Sequence, residues 1–403
     1  MNHLNQQNQR NKDLDNFMEM LFHHIKKHLR TIDWFLVICV CAALAFGFIA
    51  VRSATNVFPR LNPPRDQTRT LIVQATAIAI GIVGMFILSK ADYMHVLKYY
   101  KYMYLFSVTL LVAVLLFGVG DEVGNRSWFR FGPVGIQPSE FVKLAFIVVI
   151  ANHLDKNRHR INHPKNILQL LLYFGVLFGL ILYAGDLGNN LIYGFIFLCM
   201  CFAAGMSLWY FLGGAFVLAA SAPILWDLLA GYRQMRIRIG IDPTLDPEGW
   251  GYQVLMSMRA ISSGGLLGHG YQQGPITQRM GNRHIPEQWT DFIFSAIGEE
   301  FGFVGAILAL LILVLIIVRI LIIARNARTN AGSLICVGVM SMIIAQSVVN
   351  IGMTLGVLPV IGVTLPFFSY GGSSIISSLW AVGMVLSVRS RTNIYYFTRD
   401  EIG

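Results

Sequence analysis

The chain has 403 residues, of which 55% are hydrophobic and 13% charged, whereas charged residues make up about a quarter of an ordinary soluble domain. Together with a mean hydropathy of +0.59, this composition excludes a soluble enzyme and favours a protein built in lipid. The net charge of +10 does not come in Lys/Arg runs interleaved with aromatic residues. It therefore excludes nucleic acid as a partner and favours an anionic leaflet or a phosphate-bearing lipid.

Uncharged runs that can cross a bilayer as helices recur along the whole chain. They are the stretches 34–51, 70–88, 102–119, 167–185, 190–204, 208–226, 302–318 and 334–357. Two more spans are expected at 138–153, which carries only Glu140 and Lys143 as charged residues, and at 373–388, which is uncharged. The sequence therefore predicts an all-α polytopic membrane protein with about ten transmembrane helices.

The basic loops predict the orientation of these spans. Most of them fall on the side that holds both termini, which is therefore expected to be cytoplasmic. Residues 1–33 and 391–403 are then cytoplasmic tails, 34–390 form the membrane domain, and 230–289 form a long extracytoplasmic loop between spans seven and eight. One outer loop disagrees with this rule because it is basic, with Arg52, Arg60, Arg65 and Arg69.

Two places in the predicted spans hold charges that need a partner or a task. Glu140 and Lys143 lie three residues apart, so they share a helical face and can neutralise each other, either as a structural pair or in the lining of a substrate cavity. Glu299 and Glu300 are adjacent and precede a long uncharged run, so at least one must face something polar. A bond to a neighbouring helix and a role in proton or ion handling both remain open.

Two aspartates lie where spans are expected to begin. Asp186, in Gly185-Asp186-Leu187-Gly188, is expected to cap the sixth span by accepting bonds from backbone N–H groups. Asp291 precedes Phe292 at the entrance to the eighth span, where an acid can serve the helix dipole.

Two glycine-containing segments stand out. The entrance to the last span, 365–374, combines Pro and Gly with hydroxyls that include Ser369 and Ser373, and therefore predicts non-helical backbone that lines a cavity or forms a re-entrant turn. The run 264–270 is rich in glycine, but it follows no strand and lacks the lysine of a P-loop, so it is a weak phosphate-binding signal. His269 within it is expected to be an ordinary loop residue.

The five cysteines lie in apolar stretches without metal-ligand spacing, so neither a disulfide nor a metal site is predicted.

Several of these segments together resemble one family, the SEDS proteins of shape, elongation, division and sporulation, which include RodA, FtsW and SpoVE. The matching residues occur in the family's order and span about 34–391. They are Trp128, the segment 135–143, Asp186-Leu187-Gly188, Gly251-Tyr252-Gln253, 263–266, 290–294, Gly298-Glu299-Glu300 and 366–374. On these residues the chain is identified as a member of that family, and the resemblance leans towards RodA.

The resemblance implies a peptidoglycan glycosyltransferase that polymerises lipid II at the outer face of the bacterial cytoplasmic membrane. The family's catalytic acid falls on Asp291, which is expected to act as a general base, and its cavity residues fall on Glu140, Lys143 and Asp186. Cations can hold the departing pyrophosphate, and the candidates are Lys143, Arg126 and Arg130. Anchoring of the loop to lipid headgroups by these cations remains open as the alternative. The remaining candidates for the substrate cavity are Glu299, Glu300, Ser369 and Ser373.

Two positions depart from the family pattern. Ala184-Gly185 stands where the family often has Gln-Pro, and Trp289 stands where it often has His. Neither change removes a carboxylate.

The resemblance also implies partners and a cofactor. A class B penicillin-binding protein, a transpeptidase, is expected to dock on the membrane helices, together with other elongasome or divisome membrane proteins. A divalent cation, Mg²⁺ or Mn²⁺, is the one cofactor expected, although no ligand cage can be identified in the sequence.

Two other functions remain open on the sequence alone. A transporter that flips a lipid-linked precursor would use the same membrane acids and broken helices, but no internal inverted repeat is visible. A non-catalytic scaffold of the cell-wall machinery is the third possibility.

Overall fold

The computed structural model describes residues 31–60, 65–120, 126–131, 134–228, 231–278 and 285–400. Within these ranges the chain forms thirteen α-helices and one small sheet. The helices are α1 (Trp34–Ala54), α2 (Gln67–Lys90), α3 (Tyr93–Lys98), α4 (Tyr100–Phe117), α5 (Pro138–Lys156), α6 (Pro164–Tyr183), α7 (Leu187–Ala203), α8 (Leu208–Leu228), α9 (Gly231–Ile241), α10 (Trp250–Ser263), α11 (Ile293–Arg325), α12 (Asn330–Thr354) and α13 (Gly372–Asp400).

Each of the ten expected spans coincides with a helix, and the membrane-protein fold class is confirmed. Seven helices are long and apolar enough to cross a membrane by themselves: α1, α2, α4, α6, α11, α12 and α13. The helices α7 and α8 are apolar but shorter over the qualifying stretch. The remaining expected span, α5, carries Glu140 and Lys143 and is buried along most of its length.

The helix α12 lies at the centre of the bundle, where it packs against α5, α7, α11 and α13. Its buried face is continuous from Ala331 to Thr354 and includes polar residues as well as apolar ones. Polar groups buried at this depth need internal hydrogen bonds, because lipid offers none.

A short antiparallel sheet at one end of the bundle was not expected from the sequence. Its strands are β1 (Val119–Gly120), β2 (Arg126–Phe131) and β3 (Val134–Ile136), in that spatial order. The sheet leads directly into α5, so it fixes the start of the helix that carries Glu140 and Lys143.

The long connection 230–289 has structure of its own in its described part. It contains α9, a 3₁₀ turn at Pro243–Leu245 and α10. The helix α10 packs on α11.

The helix α11 is longer than expected and is broken at Gly302, where φ is 65° and ψ is −162°. The glycine-rich segment 264–270 fills the break. His269 and Gly270 donate their backbone N–H groups to the carbonyls of Glu299 and Glu300, at 3.0 Å each. On the other side of the break, Phe303 and Val304 donate to the carbonyls of Gly265 and Leu266.

This close approach explains the glycines. A Cβ at Gly268 would clash with the backbone of Glu300 and Gly302, and a Cβ at Gly302 would clash with Gly268. The glycine-rich segment 264–270, which gave a weak phosphate-loop signal, therefore supplies backbone hydrogen bonds to α11 where that helix is broken.

The predicted terminal tails lie only partly within the described residues. Residues 1–30 and 401–403 lie outside the described ranges. Between them, α13 continues to Asp400, so residues 391–400 extend the last helix.

Candidate functional site

Asp291 lies at the end of a turn that leads into α11. The N–H groups of Thr290, Asp291 and Phe292 all point to the carbonyl of Glu287, and α11 begins at Ile293. The N-cap residue is Phe292, without a side-chain cap, and the first helical turn contains no acid. Asp291 therefore lies just outside the helix and is not a first-turn acid.

Hydrogen bonds from neighbouring segments hold this turn at three consecutive main-chain carbonyls. The backbone N–H of Tyr370 donates to Trp289 O at 2.8 Å. The hydroxyl of Ser369 donates to Thr290 O at 2.6 Å, and the side-chain amide of Asn350 donates to Asp291 O at 2.8 Å. Asp291 is thus held through its backbone by α12 and by the segment before α13.

The carboxylate of Asp291 faces the non-helical segment 359–371. A Cβ built on Gly362 would lie 3.6 Å from Asp291 Oδ2, and Gly362 has a positive φ of 71°. The aspartate is half-buried, so its side chain sits at an edge of the bundle and not in its interior. Close beside it, burial raises the pKa of Tyr370, which therefore remains a neutral phenol at physiological pH.

Asp186 forms a second polar site at the start of α7. Its Oδ1 accepts from Asn189 N at 3.1 Å, which confirms the predicted helix cap. Its Oδ2 accepts from Gln137 Nε2 at 2.9 Å, from Ser139 Oγ at 3.2 Å and from Asn189 Nδ2 at 2.8 Å. Four donors thus surround this carboxylate.

Glu140 and Lys143 form the ion pair that their spacing predicts. Lys143 Nζ lies 2.7 Å from Glu140 Oε1, the lysine side chain has no exposed surface, and Ser377 Oγ donates to Glu140 Oε2 at 3.0 Å. Because the neighbouring Ser139 bonds Asp186, this pair and Asp186 belong to one polar corner, which we call the α5 corner. It consists of Gln137, Ser139, Glu140, Lys143, Asp186 and Asn189.

The segment 359–371 and the start of α13 connect the α5 corner with Asp291. A Cβ on Gly188 would lie 2.6 Å from the carbonyl of Ile361, next to Gly362. At the start of α13, Ser373 Oγ accepts from Gln137 N at 3.0 Å. The α5 corner and Asp291 thus both border the surface formed by the segment 359–371 and the start of α13.

Comparison with known proteins places this arrangement in a family. Residues 33–394 match the family of FtsW, RodA and SpoVE, described as cell cycle proteins. The chain belongs to this family.

Individual relatives cover most of the chain. Stage V sporulation protein E of Bacillus subtilis is 36% identical over 88% of this chain and 96% of its own length. Peptidoglycan glycosyltransferase MrdB of Escherichia coli K12 is 36% identical over 78% of this chain and 84% of its own length.

Solved structures agree. RodA of Thermus thermophilus, a rod shape determining protein, matches with a TM-score of 0.65 and 30% identity over 89% of this chain and 96% of its own. A chain of a peptidoglycan synthase complex that coordinates polymerization and crosslinking matches with a TM-score of 0.75 and 31% identity, covering 90% and 98% of the two chains.

In this FtsW/RodA/SpoVE family member, Glu299 and Glu300 hold the connection 230–289. Glu299 accepts from the backbone N–H groups of Ile276 and Thr277, at 2.8 and 2.7 Å. Glu300 accepts from Ser53 Oγ on α1, from Gln278 Nε2 at 2.8 Å and from Gln272 N at 3.1 Å. Both acids are buried, and their partners come mainly from the loop and not from a neighbouring helix.

The three candidates for holding the leaving diphosphate lie in different surroundings. Arg126 has an exposed side chain, and its backbone N–H donates to Ala184 O at 3.1 Å, so it stands beside the α5 corner. Lys143, by contrast, is enclosed and paired. Arg126 and Arg130 are both exposed, whereas the charge of Lys143 does not reach the surface.

The described residues do not fit a metal site made of protein ligands. No three His, Cys, Asp or Glu side chains within the described ranges come together as ligands. The oxygens of Asp186 accept bonds from N–H and O–H donors, which a cation would have to displace.

Sequence reasoning did not identify Asn350, which joins Asp291 to the segment 359–371. It lies inside the uncharged run 334–357 that predicted the ninth span. A signal existed, because Gln346 and Asn350 lie four residues apart and place two amides on one face of an otherwise apolar helix.

Proposed function

We propose that this chain is a peptidoglycan glycosyltransferase that polymerises lipid II into glycan strands for cell elongation and shape or for division. Family membership supports the proposal, as does similarity to MrdB, which is named as this enzyme. The observation that carries it is the fixed, half-buried Asp291, held through three successive carbonyls at the end of a membrane helix.

Asp291 serves as the general base. Glycan elongation requires the 4-hydroxyl of one sugar to attack the anomeric carbon of another, while the bond from that carbon to the lipid diphosphate breaks. The carboxylate takes the hydroxyl proton as the new C–O bond forms, and the diphosphate leaves with the bonding electrons. A base held by its backbone keeps its position while the substrate moves along the site.

The leaving diphosphate needs a cation, and Arg126 is best placed to supply it. Its guanidinium can present two parallel N–H donors to phosphate oxygens, and its side chain is exposed beside the α5 corner. Glu140, Lys143 and Asp186 then form the rigid side of the substrate cavity. Ser373 ties this side to the start of α13 by accepting from Gln137 N, and Ser369 ties the segment 359–371 to the turn of Asp291 by donating to Thr290 O.

The site is assigned to the outer face of the cytoplasmic membrane, with both termini cytoplasmic. The distribution of basic loops supports this orientation. A single cysteine near Thr244, in a chain without the five native cysteines, should react with a membrane-impermeant reagent in intact cells. Protection in intact cells and labelling after permeabilisation would reverse the orientation.

A class B penicillin-binding protein is the proposed partner, because new strands need crosslinking and this chain shows no Ser-x-x-Lys transpeptidase motif between its membrane helices. The similar peptidoglycan synthase complex, which couples polymerization to crosslinking, supports the pairing. Copurification in mild detergent tests it, with the polymerisation rate measured with and without the partner. An unchanged rate with every candidate partner would remove activation from the proposal.

Purified lipid II and purified protein provide the test of function. We expect polymer chains whose formation requires this protein, with the partner present. Movement of lipid II between leaflets of proteoliposomes without any polymer would instead identify a transporter. If neither polymer formation nor lipid II transport is observed while the partner still binds, the result would favour a non-catalytic scaffold.

A further inference from the structure

Asn350 is a fully buried polar residue in the central helix α12. Its amide nitrogen donates to Asp291 O at 2.8 Å and to Val363 O at 2.7 Å. The two acceptors lie on different segments, one leading into α11 and the other preceding α13. One side chain therefore bridges the two walls that meet at the proposed base.

The orientation of the amide follows from these acceptors. Both N–H groups point at carbonyl oxygens, and a rotated amide would place Oδ1 against them. In the described part of the structure, Oδ1 itself has no hydrogen-bond partner. A buried acceptor without a partner is unfavourable, so packing alone would favour an apolar residue here.

We propose that Asn350 is a positioning residue for the reaction and sets the place of Asp291 without touching substrate. This inference rests on the proposed role of Asp291. The amide fixes Asp291 through its carbonyl and fixes the neighbour of Gly362 through the carbonyl of Val363. It thereby sets the gap between the Asp291 carboxylate and Gly362, whose built Cβ would lie 3.6 Å from Oδ2.

The other two bonds to this turn cannot replace that function. Ser369 and Tyr370 hold Thr290 and Trp289, both upstream of Asp291. Without Asn350, the turn remains docked, but the aspartate and the 362–363 backbone are no longer tied to a common point. The expected result is a protein that folds and binds lipid II but misplaces its base.

Asn350→Val and Asn350→Thr form a matched pair of variants, since the two side chains have the same shape and only threonine has a hydroxyl donor. Purified with the partner, Asn350→Val should lower kcat for lipid II polymerisation by about tenfold to a hundredfold, because small misplacements of a reacting group have effects of this size. KM should change by less than about threefold, since the bound ground state is unaffected. Asn350→Thr should recover part of the loss in kcat.

Gln346 provides the control, because it lies one turn earlier on α12 and is equally buried. Its side-chain oxygen Oε1 has no hydrogen-bond partner within the described ranges. Gln346→Val and Gln346→Thr should show the same kcat as each other, close to that of the unmodified chain. The midpoints of thermal unfolding should be compared across all four variants.

Three results would overturn the proposal. The first is an unchanged kcat in a folded Asn350→Val, and the second is an equal loss of kcat in the valine and threonine variants. The third is a loss of kcat that Gln346→Val matches. If Asn350→Val does not fold, Asn350→Thr provides the test alone. Threonine has one donor where asparagine has two, so a stable Asn350→Thr with a normal kcat would contradict the positioning role of Asn350. Asp291→Asn, measured in parallel, separates the two hypotheses: near-normal turnover in that variant rejects the proposed base itself.

Discussion

Asp186 and Asp291 are both aspartates just ahead of a membrane helix, yet the protein fixes them in opposite ways. The Asp186 carboxylate is held directly by four donors from α5 and α7. The described bonds that hold the turn of Asp291 in place from α12 and the segment before α13 go to main-chain carbonyls. The described bonds therefore fix the carboxylate of Asp186 directly, whereas those from α12 and the segment before α13 fix the backbone of the turn that carries Asp291.

The comparison assigns stability to one region and turnover to the other. The α5 corner contains the enclosed Glu140–Lys143 pair, and the half-buried Asp186 carboxylate beside it accepts four hydrogen bonds. Asp291 is half-buried and faces the 359–371 segment. Substitutions in the α5 corner should therefore change unfolding first, and substitutions at Asp291 should change rate first.

The largest effect on stability is expected from Lys143→Met. Removing the lysine leaves Glu140 buried without its counter-ion, which typically destabilises a protein by about 3–5 kcal/mol. The midpoint of thermal unfolding in detergent should fall steeply. The double variant Glu140→Leu/Lys143→Met should recover much of the loss, because no unpaired charge then remains. A single Lys143→Met with unchanged stability would show that the corner is hydrated and open.

A smaller loss is expected from Gly302→Ala, at the break of α11. Alanine is strained at a φ of 65°, by roughly 1–3 kcal/mol, and its Cβ would also push away Gly268. The segment 264–278 should loosen and become more accessible to a protease, which can be followed by limited digestion. Equal digestion of the variant and the parent chain would show that the loop is not held by the helix break.

The smallest effect is expected from Ser377→Ala. This change removes one hydrogen bond to Glu140 and leaves the ion pair with Lys143 in place. A loss of about 1 kcal/mol is expected, with a polymerisation rate close to that of the parent chain. A large fall in polymerisation rate with only a small loss of stability would place Ser377 in the substrate site. It would contradict the assignment of the α5 corner to stability alone.

Local patterns in the sequence predicted much of this molecule. The apolar runs located ten helices, because hydropathy alone marks segments that lipid can accept. The cap by Asp186 was predictable because its partner Asn189 is three residues away. The Glu140–Lys143 pair was predictable for the same reason.

The remaining features depend on contacts between distant parts of the chain. The uncharged run predicted for the eighth span covers only 302–318, whereas α11 runs from Ile293 to Arg325 and includes Glu299 and Glu300. The donors that satisfy these acids lie 22 to 247 residues away along the chain, so no local pattern reveals them. Asn350 was missed for the same reason, since its acceptor at Asp291 is 59 residues away.

The most direct test compares Asp291→Asn with Asp186→Asn, each purified with the partner and assayed on lipid II. Asp291→Asn should lower turnover by at least about a hundredfold, because asparagine lacks the basicity of the carboxylate, while the thermal midpoint stays near that of the parent chain. Asp186→Asn should lower the midpoint, because its new amide would face the donors of Gln137 and Asn189, and should reduce turnover far less. Near-normal turnover in Asp291→Asn together with none in a folded Asp186→Asn would contradict the account and move the base to Asp186.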